Sequence, residues 1–365
     1  MLSYIMRRVL LMIPTLFLIS VISFITIQLP PGDYLTSYVT QLRQAGEDID
    51  ETELESLRQR YGLGQPVYVQ YYKWISGIIL RGDWGQSMEW QKPVKELIWE
   101  RMALTVVLSS VALLVSWFVA IPIGVYSATH QYSIFDYILS IVNFIGAGTP
   151  GFMIALVVMW FAMTKFGLNV GGLFSQECLL APWAFSAGGP TVACAATASP
   201  PASTGIALLL DIVRGEVLIN WTKIVDLIKH LWIPVIVIAV GSTVTSIRVT
   251  RANLLDELNK PYVETARAKG LRESKVIWKY PVRVALNPFF STVGWSLASL
   301  VSGQTLVAVV LSLQTNGPMM LRALTSQDMY LAASFLLLLS TLTVIGTLIS
   351  DILLAWVDPR IRLTG

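Results

Sequence analysis

The sequence predicts an all-α fold, a polytopic membrane bundle of six transmembrane helices with both termini in the cytoplasm. Three observations predict it. Of 365 residues, 54% are hydrophobic and 13% charged, where a soluble domain carries about 25% charged residues. The apolar residues fall in blocks free of Asp, Glu, Lys and Arg, each near the roughly 20 that a helix needs to cross a bilayer core of about 30 Å. Lys and Arg crowd into alternate connections, the pattern of a cytoplasmic face. An ordinary soluble enzyme and a disordered chain are both excluded, since neither has so little charge.

The first block runs from Val9 to Leu29 behind Arg7 and Arg8. A signal-peptide core is shorter, about 7–15 residues, and ends at a small-x-small site. This block ends in Pro30, Pro31, Gly32 and Asp33, so an uncleaved helix is expected. Further spans are Ala103–Tyr126, Tyr137–Thr164, Leu231–Ile247, Pro288–Leu313 and Met329–Ser350. The layout is then an N-terminal span (1–29), an external region (30–102), a membrane core (103–357) and a cytoplasmic tail (358–365). The core carries an external insertion (165–230) and a cytoplasmic loop (248–287). With the N-terminus inside, the inner segments hold 13 Lys and Arg in about 70 residues; the outer ones hold 13 in about 150, against 16 acids.

Within the external region, Asp50-Glu51-Thr52-Glu53 resembles a capped helix start. Leu54, Leu57 and Tyr61 follow at helical spacing, and Gly62 is a plausible stop. A second helix is expected after Pro66. Tyr71, Tyr72, Trp74, Trp84, Trp90 and Trp99 suit a membrane interface. The region reads as a lid on the bundle or as a docking surface for an extracytoplasmic partner.

Cys178 to Leu210 is uncharged but contains Pro182, Pro190, Pro200 and Pro201. A lipid-exposed span must satisfy every backbone group internally, so this stretch is expected outside the bilayer. The two cysteines, Cys178 and Cys194, both lie in it. They are either inert apolar thiols or a disulfide formed in an oxidising compartment.

The segment Arg251 to Pro288 is polar, and from Arg248 to Arg283 it holds nine Lys and Arg against four acids. Pro261 fits the first turn of a short helix, and Glu264 meets its positive end. Ala266 and Gly270, four apart, share a helix face, so a smooth side is expected to admit another protein's backbone. Contact with anionic lipid headgroups is the plainer reading of the charge.

The residue order here resembles a known pattern. Glu264-Thr265-Ala266, three residues, then Gly270 is similar to the E-A-A-x-x-x-G loop of ATP-binding-cassette importer permeases. TARAKGL (265–271) and the Arg283 to Pro288 ending resemble the dipeptide/oligopeptide subfamily. The opening 1–33, closing in Pro-Gly-Asp, the stretch 57–87 and the tail 350–363 with Asp358-Pro359-Arg360 resemble it too. Tyr280, Pro281, Val284 and Asn287, the insertion 173–226 and residues 311–318 depart from it.

The resemblance implies a permease subunit in the cytoplasmic (inner) membrane, forming half of a path for peptides or similar solutes. Its implied partners are a second homologous permease, two ATPase subunits, an extracytoplasmic binding protein and membrane lipid, with no nucleic acid. Glu264, Thr265, Ala266, Lys269 and Gly270 are implied as residues that couple to an ATPase. No cofactor is expected on this chain, with ATP and Mg held by the partner subunits. Consistent with this, the chain has no G-x-x-x-x-G-K-[ST] phosphate loop. With His130 and His230 its only histidines and no H-E-x-x-H, no metal site is expected either.

Gly146, Gly148, Thr149, Pro150 and Gly151 interrupt the third span; Gly148, Pro150 and Gly151 are candidates for a hinge or pathway, or for packing. Asp351 lies about two turns before Asp358, near the inner boundary. A self-sufficient secondary transporter or channel is the alternative, but it would need ionisable or unwound sites near the midplane of paired repeats. The cargo class stays open among peptide, oligosaccharide, opine and metal chelate.

Overall fold

The computed structural model describes residues 2–28, 65–167, 171–179, 181, 183–186 and 217–357. The helix expected over 50–62, Cys194 and the tail 358–365 lie outside the described residues.

Helix α1 spans Leu2–Gln28, and its outward side chains, such as Leu10 and Phe17, are exposed as lipid-facing apolar groups are. Helix α2, Val67–Ser76, begins directly after Pro66 and runs into a π turn, Gly77–Arg81, that Gly82 stops. Its Trp74 and Tyr71 pack on Phe24 of α1, with ring centroids 5.3 and 5.6 Å away. Helix α2 is therefore seated on α1, as a lid would be.

Helices α3, Val94–Thr129, and α7, Trp221–Leu258, form the central pair. At 36 and 38 residues each is about 55 Å long at 1.5 Å per residue, well over the bilayer core. The expected spans are their apolar centres. The overhanging ends of α7 carry the charges, Lys223, Asp226 and Lys229 at one end and Arg248, Arg251, Asp256 and Glu257 at the other.

The span expected over 137–164, with its interruption at Gly146 to Gly151, is built from two helices. Helix α4, Ile134–Gly148, and helix α5, Gly151–Phe166, meet at 105°. Pro150 supplies no N–H and forces its predecessor out of the helical region; Thr149 accordingly sits at φ −96°, ψ 121°.

The insertion is described only at its ends. They form a short helix α6, Gln176–Leu179, and an antiparallel pair of three-residue strands, β1 (Ala184–Ser186) and β2 (Val217–Ile219), in which Phe185 faces Leu218. After α7 come three short helices, α8 (Pro261–Ala268), α9 (Glu273–Lys279) and α10 (Pro281–Ala285). The expected span 288–313 is divided at Gln304 into α11, Asn287–Gly303, and α12, Thr305–Val310. Helix α13, Asn316–Thr325, leads to α14, Met329–Val357. Among the described residues, four helices (α1, α3, α7 and α14) are long and apolar enough to cross a membrane, and five spans result if the bent α4–α5 pair is one.

Two ends of the bundle are defined by its packing. At one, Phe24 of α1 meets Met329 and Ala333 of α14, while Val94 and Ile98 at the start of α3 pack with Leu331 and Phe335. At the other, Arg8 of α1 pairs with Asp351 of α14 at 3.1 Å, and the end of α3 packs against the α7–α10 junction. Since α1, α3 and α14 each run from one end to the other, the start of α1, the end of α14 and the 259–286 segment share one face. Asp328 pins the opposite face. Its carboxylate caps α14 through the Leu331 N–H at 3.2 Å and accepts from Ser87 Oγ (2.5 Å) and the N–H groups of Met88 and Glu89. Burial nevertheless pushes this carboxyl above its ordinary range.

Candidate functional site

The 259–286 segment is built from local rules. Lys260, restricted by the proline that follows it, is extended (φ −79°, ψ 145°), and Pro261 opens α8 with Glu264 in the first turn. The helix stops after two turns at Gly270, whose φ of +71° is left-handed and whose N–H bonds to the Arg267 carbonyl at 2.9 Å. Nothing lies within 4 Å of where a Gly270 Cβ would stand. Glycine is required there by the backbone, not by crowding.

Val263 and Ala266 are buried against Val276 of α9, with Leu271 and Tyr280 packed around them. The reading that Ala266 and Gly270 share an open face is thereby corrected. A helix of eight residues cannot hold its place alone, so it spends its one apolar stripe on α9. Ala266 lets α8 and α9 approach each other, and Gly270 lies beyond the helix end. Glu264, Thr265, Ala268, Lys269 and Gly270 are exposed, and together they form the outward surface of an α8–α9 hairpin.

Two polar links fix that hairpin. Arg267 Nη2 donates to Glu273 Oε1 at 2.7 Å, and its Nε reaches both carboxylate oxygens at 3.2 and 3.3 Å. This guanidinium holds the Glu273 carboxyl below its ordinary range. Tyr262 donates from its hydroxyl to Glu257 Oε2 at 2.5 Å; burial first, then that carboxylate, push the phenol well above its ordinary range.

The base is apolar. Val282 and Ala285 of α10 pack with Leu254 of α7 and with Val125 and Ala128 of α3, and α11 starts at Asn287 directly after. The segment is thus joined to α7 and α11 with no long loop at either end.

A cluster that sequence reasoning missed stands beside this base. Arg251 of α7 donates to Asp136 Oδ2 from Nη2 at 3.0 Å, and to Asp136 Oδ1 and Ser127 Oγ from Nε, each at 3.1 Å. Ser127 also donates to Asp136, and the Tyr132 N–H bonds to it at 3.1 Å. The cluster joins the end of α3, the start of α4 and α7. One signal was available: Asp136 is the only Asp, Glu, Lys or Arg between Arg101 and Lys165, and an isolated acid beside an apolar block calls for a partner.

The glycines at the bend play different parts. A Cβ on Gly146 would come within 2.8 Å of Val244 of α7, and one on Gly151 would touch Val307 at 3.4 Å; Gly148 meets nothing within 4 Å. Cys178 is disulfide-bonded. Among the described residues no group of His, Cys, Asp and Glu could hold a metal ion.

Two family models match this chain. The one described as "Binding-protein-dependent transport system inner membrane component" matches residues 120–363, and its N-terminal companion matches residues 1–109. The oligopeptide transport system permease protein AppB of Bacillus subtilis is 32% identical, over 99% of this chain and 100% of the relative. The dipeptide transport system permease protein DppB of Alkalihalophilus pseudofirmus is 30% identical over 99% of this chain and 100% of its own. DppB of Escherichia coli is 29% identical over 99% of each.

Proposed function

The chain belongs to the inner membrane components of binding-protein-dependent transport systems, and from that membership we propose that it forms half of a peptide path and couples it to ATPase subunits through the α8–α9 hairpin. It is a permease subunit of an ABC importer, a multi-pass protein of the cytoplasmic membrane and not an enzyme. ATP hydrolysis falls to separate subunits, which would hold the ATP and Mg. The cargo class is taken from the relatives, whose names specify oligopeptide and dipeptide transport.

In this reading the assembly has a second homologous permease, two ATPases and an extracytoplasmic binding protein. The face shared by Arg8, Asp351 and the 259–286 segment is cytoplasmic, since the nine Lys and Arg of 248–283 crowd there. Six crossings follow from α1, α3, the α4–α5 pair, α7, the α11–α12 pair and α14. The 30–102 region and the 165–230 insertion are external, and there Cys178 pairs with Cys194, the one other cysteine of the chain. Gly148, Pro150 and Gly151 serve as a hinge at the bend. Glu264, Thr265, Lys269 and Gly270 meet the ATPase, while Ala266 supports them from behind.

One observation carries the proposal: the hairpin presents an exposed polar surface while its base is packed into the helices that follow and precede it. Co-expression with the partner subunits and reconstitution into proteoliposomes tests it. Import of a labelled peptide that needs ATP and the binding protein is expected. Import without ATP, by this chain alone, would contradict it.

A further inference from the structure

A groove of about 460 Å³ opens between α7 and α11, with α3 as its floor. Its walls carry Ser242, Thr245 and Ser246 from α7, and Thr292, Ser296 and Ser299 from α11. Trp117 of the floor stacks edge-on against Phe289, with centroids 5.6 Å apart. No Asp, Glu, Lys or Arg lines it.

The hydroxyls divide into two kinds. Several exposed threonines elsewhere on the bundle turn back onto their own helices, as Thr15, Thr26, Thr164 and Thr347 do at 2.7–2.8 Å. That is the arrangement hydrocarbon demands of a polar group. In the groove Ser242, Thr292 and Ser299 do the same, but the side chains of Thr245, Ser246 and Ser296 have no hydrogen-bond partner among the described residues. Single free hydroxyls occur elsewhere, as at Ser140 of α4, but three gathered on two facing walls suit water or a polar solute.

The walls are also the two helices that flank the 259–286 segment. A movement of the α8–α9 hairpin would reach both walls, because α10 packs on α7 and α11 starts directly after it. Lipid or a static helix would gain nothing from such a connection; a solute in transit would be gripped and released by it.

We infer that this groove is this subunit's share of the solute path, and that it takes the cargo through uncharged hydrogen bonds from Thr245, Ser246 and Ser296 and through aromatic surface, indifferent to the charge of the cargo's side chains. The inference rests on the peptide-permease reading. It assigns charge selection, where there is any, to other parts of the importer.

The test uses the whole importer in proteoliposomes with acidic, neutral and basic peptides of one length, each at a concentration that saturates the binding protein. Ser246→Asp is expected to slow acidic peptides about tenfold or more relative to neutral ones, because like charges brought together out of water are strongly disfavoured. Ser296→Asp places the charge on the opposite wall and is expected to do the same. Equal slowing of all three peptides, or none, in assembled complexes would overturn the assignment. So would a Thr245→Cys thiol closed to a water-soluble reagent whether or not peptide is present, the result if lipid or a partner helix fills the groove. The unsubstituted importer separates the two levels. If it carries no peptide, the peptide reading fails; if it carries peptide and the groove variants treat all three alike, only the groove assignment fails.

Discussion

Arg251 grips Asp136 with two hydrogen bonds of 3.0 and 3.1 Å, tying α7 to the first turn of α4 from 115 positions away in the chain. Asp136 is 3% exposed and Ser127 of α3 shares the site. Three helices thus meet at one ion pair beside the base of the α8–α9 hairpin.

Removing either partner strands the other. Asp136→Ala and Arg251→Ala are each expected to destabilise the folded protein by about 2–3 kcal/mol, somewhat below the loss for a fully buried pair because Arg251 is partly open to solvent. The double variant is expected to cost less than the sum, with a coupling of about 1–2 kcal/mol. Thermal unfolding in detergent of all four proteins measures this. Strict additivity would show that the pair is incidental.

The close crossing of α11 and α14 makes a second prediction. A Cβ on Gly294 would stand 1.9 Å from the Gly346 carbonyl carbon, and the Gly294 N–H bonds to Ser350 Oγ at 2.9 Å. Gly294→Ala must push the two backbones apart, at a cost of about 3 kcal/mol or more. Gly241→Ala, in the middle of α7 with nothing within 4 Å, is expected to gain about 0.5–1 kcal/mol from the better helix former. Thermal unfolding of the pair separates crowding from propensity.

Gly270 is a question of backbone sign. Its φ of +71° makes Gly270→Ala cost about 1–2 kcal/mol, while Gly270→Asn is expected to cost less. Limited proteolysis at the exposed hairpin reports the local loss. Equal sensitivity of the two variants would remove the left-handed stop as the reason for glycine.

The Arg267–Glu273 link gives a pH dependence with a definite sign. The guanidinium depresses the Glu273 carboxyl below its ordinary 4.5, so the pairing is fully present above that value. It is lost as pH falls through the depressed one. Glu273→Gln is therefore expected to loosen the hairpin at pH 7 by a few tenths of a kcal/mol, the scale of a solvent-screened pair. The difference from the unsubstituted protein is expected to close at acid pH. Hydrogen exchange of the α8 amides across pH measures it, and a difference that persists at acid pH would contradict the assignment.

Much of the bundle was legible because it is written in local terms. Charge-free blocks mark the four helices that are long and apolar enough to span, and Pro66 and Pro261 mark helix starts to the residue. Gly270 is recognisable as special, but a face shared with Ala266 does not follow from its spacing. A spacing of four means a shared face only while the helix continues, and α8 ends before Gly270. The bend is half visible: Thr149-Pro150 marks a break, but its 105° angle depends on what α4 and α5 pack against. Ala266 facing inward and the pairing of Arg251 with Asp136 depend on partners distant in sequence. The groove depends on how α7 and α11 are rotated about their axes, which serines and threonines alone do not specify.

Coupling as proposed requires the exposed end of α8 to meet an ATPase. Cysteine at Thr265 or Lys269, in the assembled importer within proteoliposomes, tests it by crosslinking with a short bifunctional thiol reagent, with and without nucleotide. A crosslink to the ATPase subunit is expected, with a yield that changes with nucleotide and import lost once the link forms. An intact, importing complex in which neither position ever crosslinks to an ATPase would contradict it.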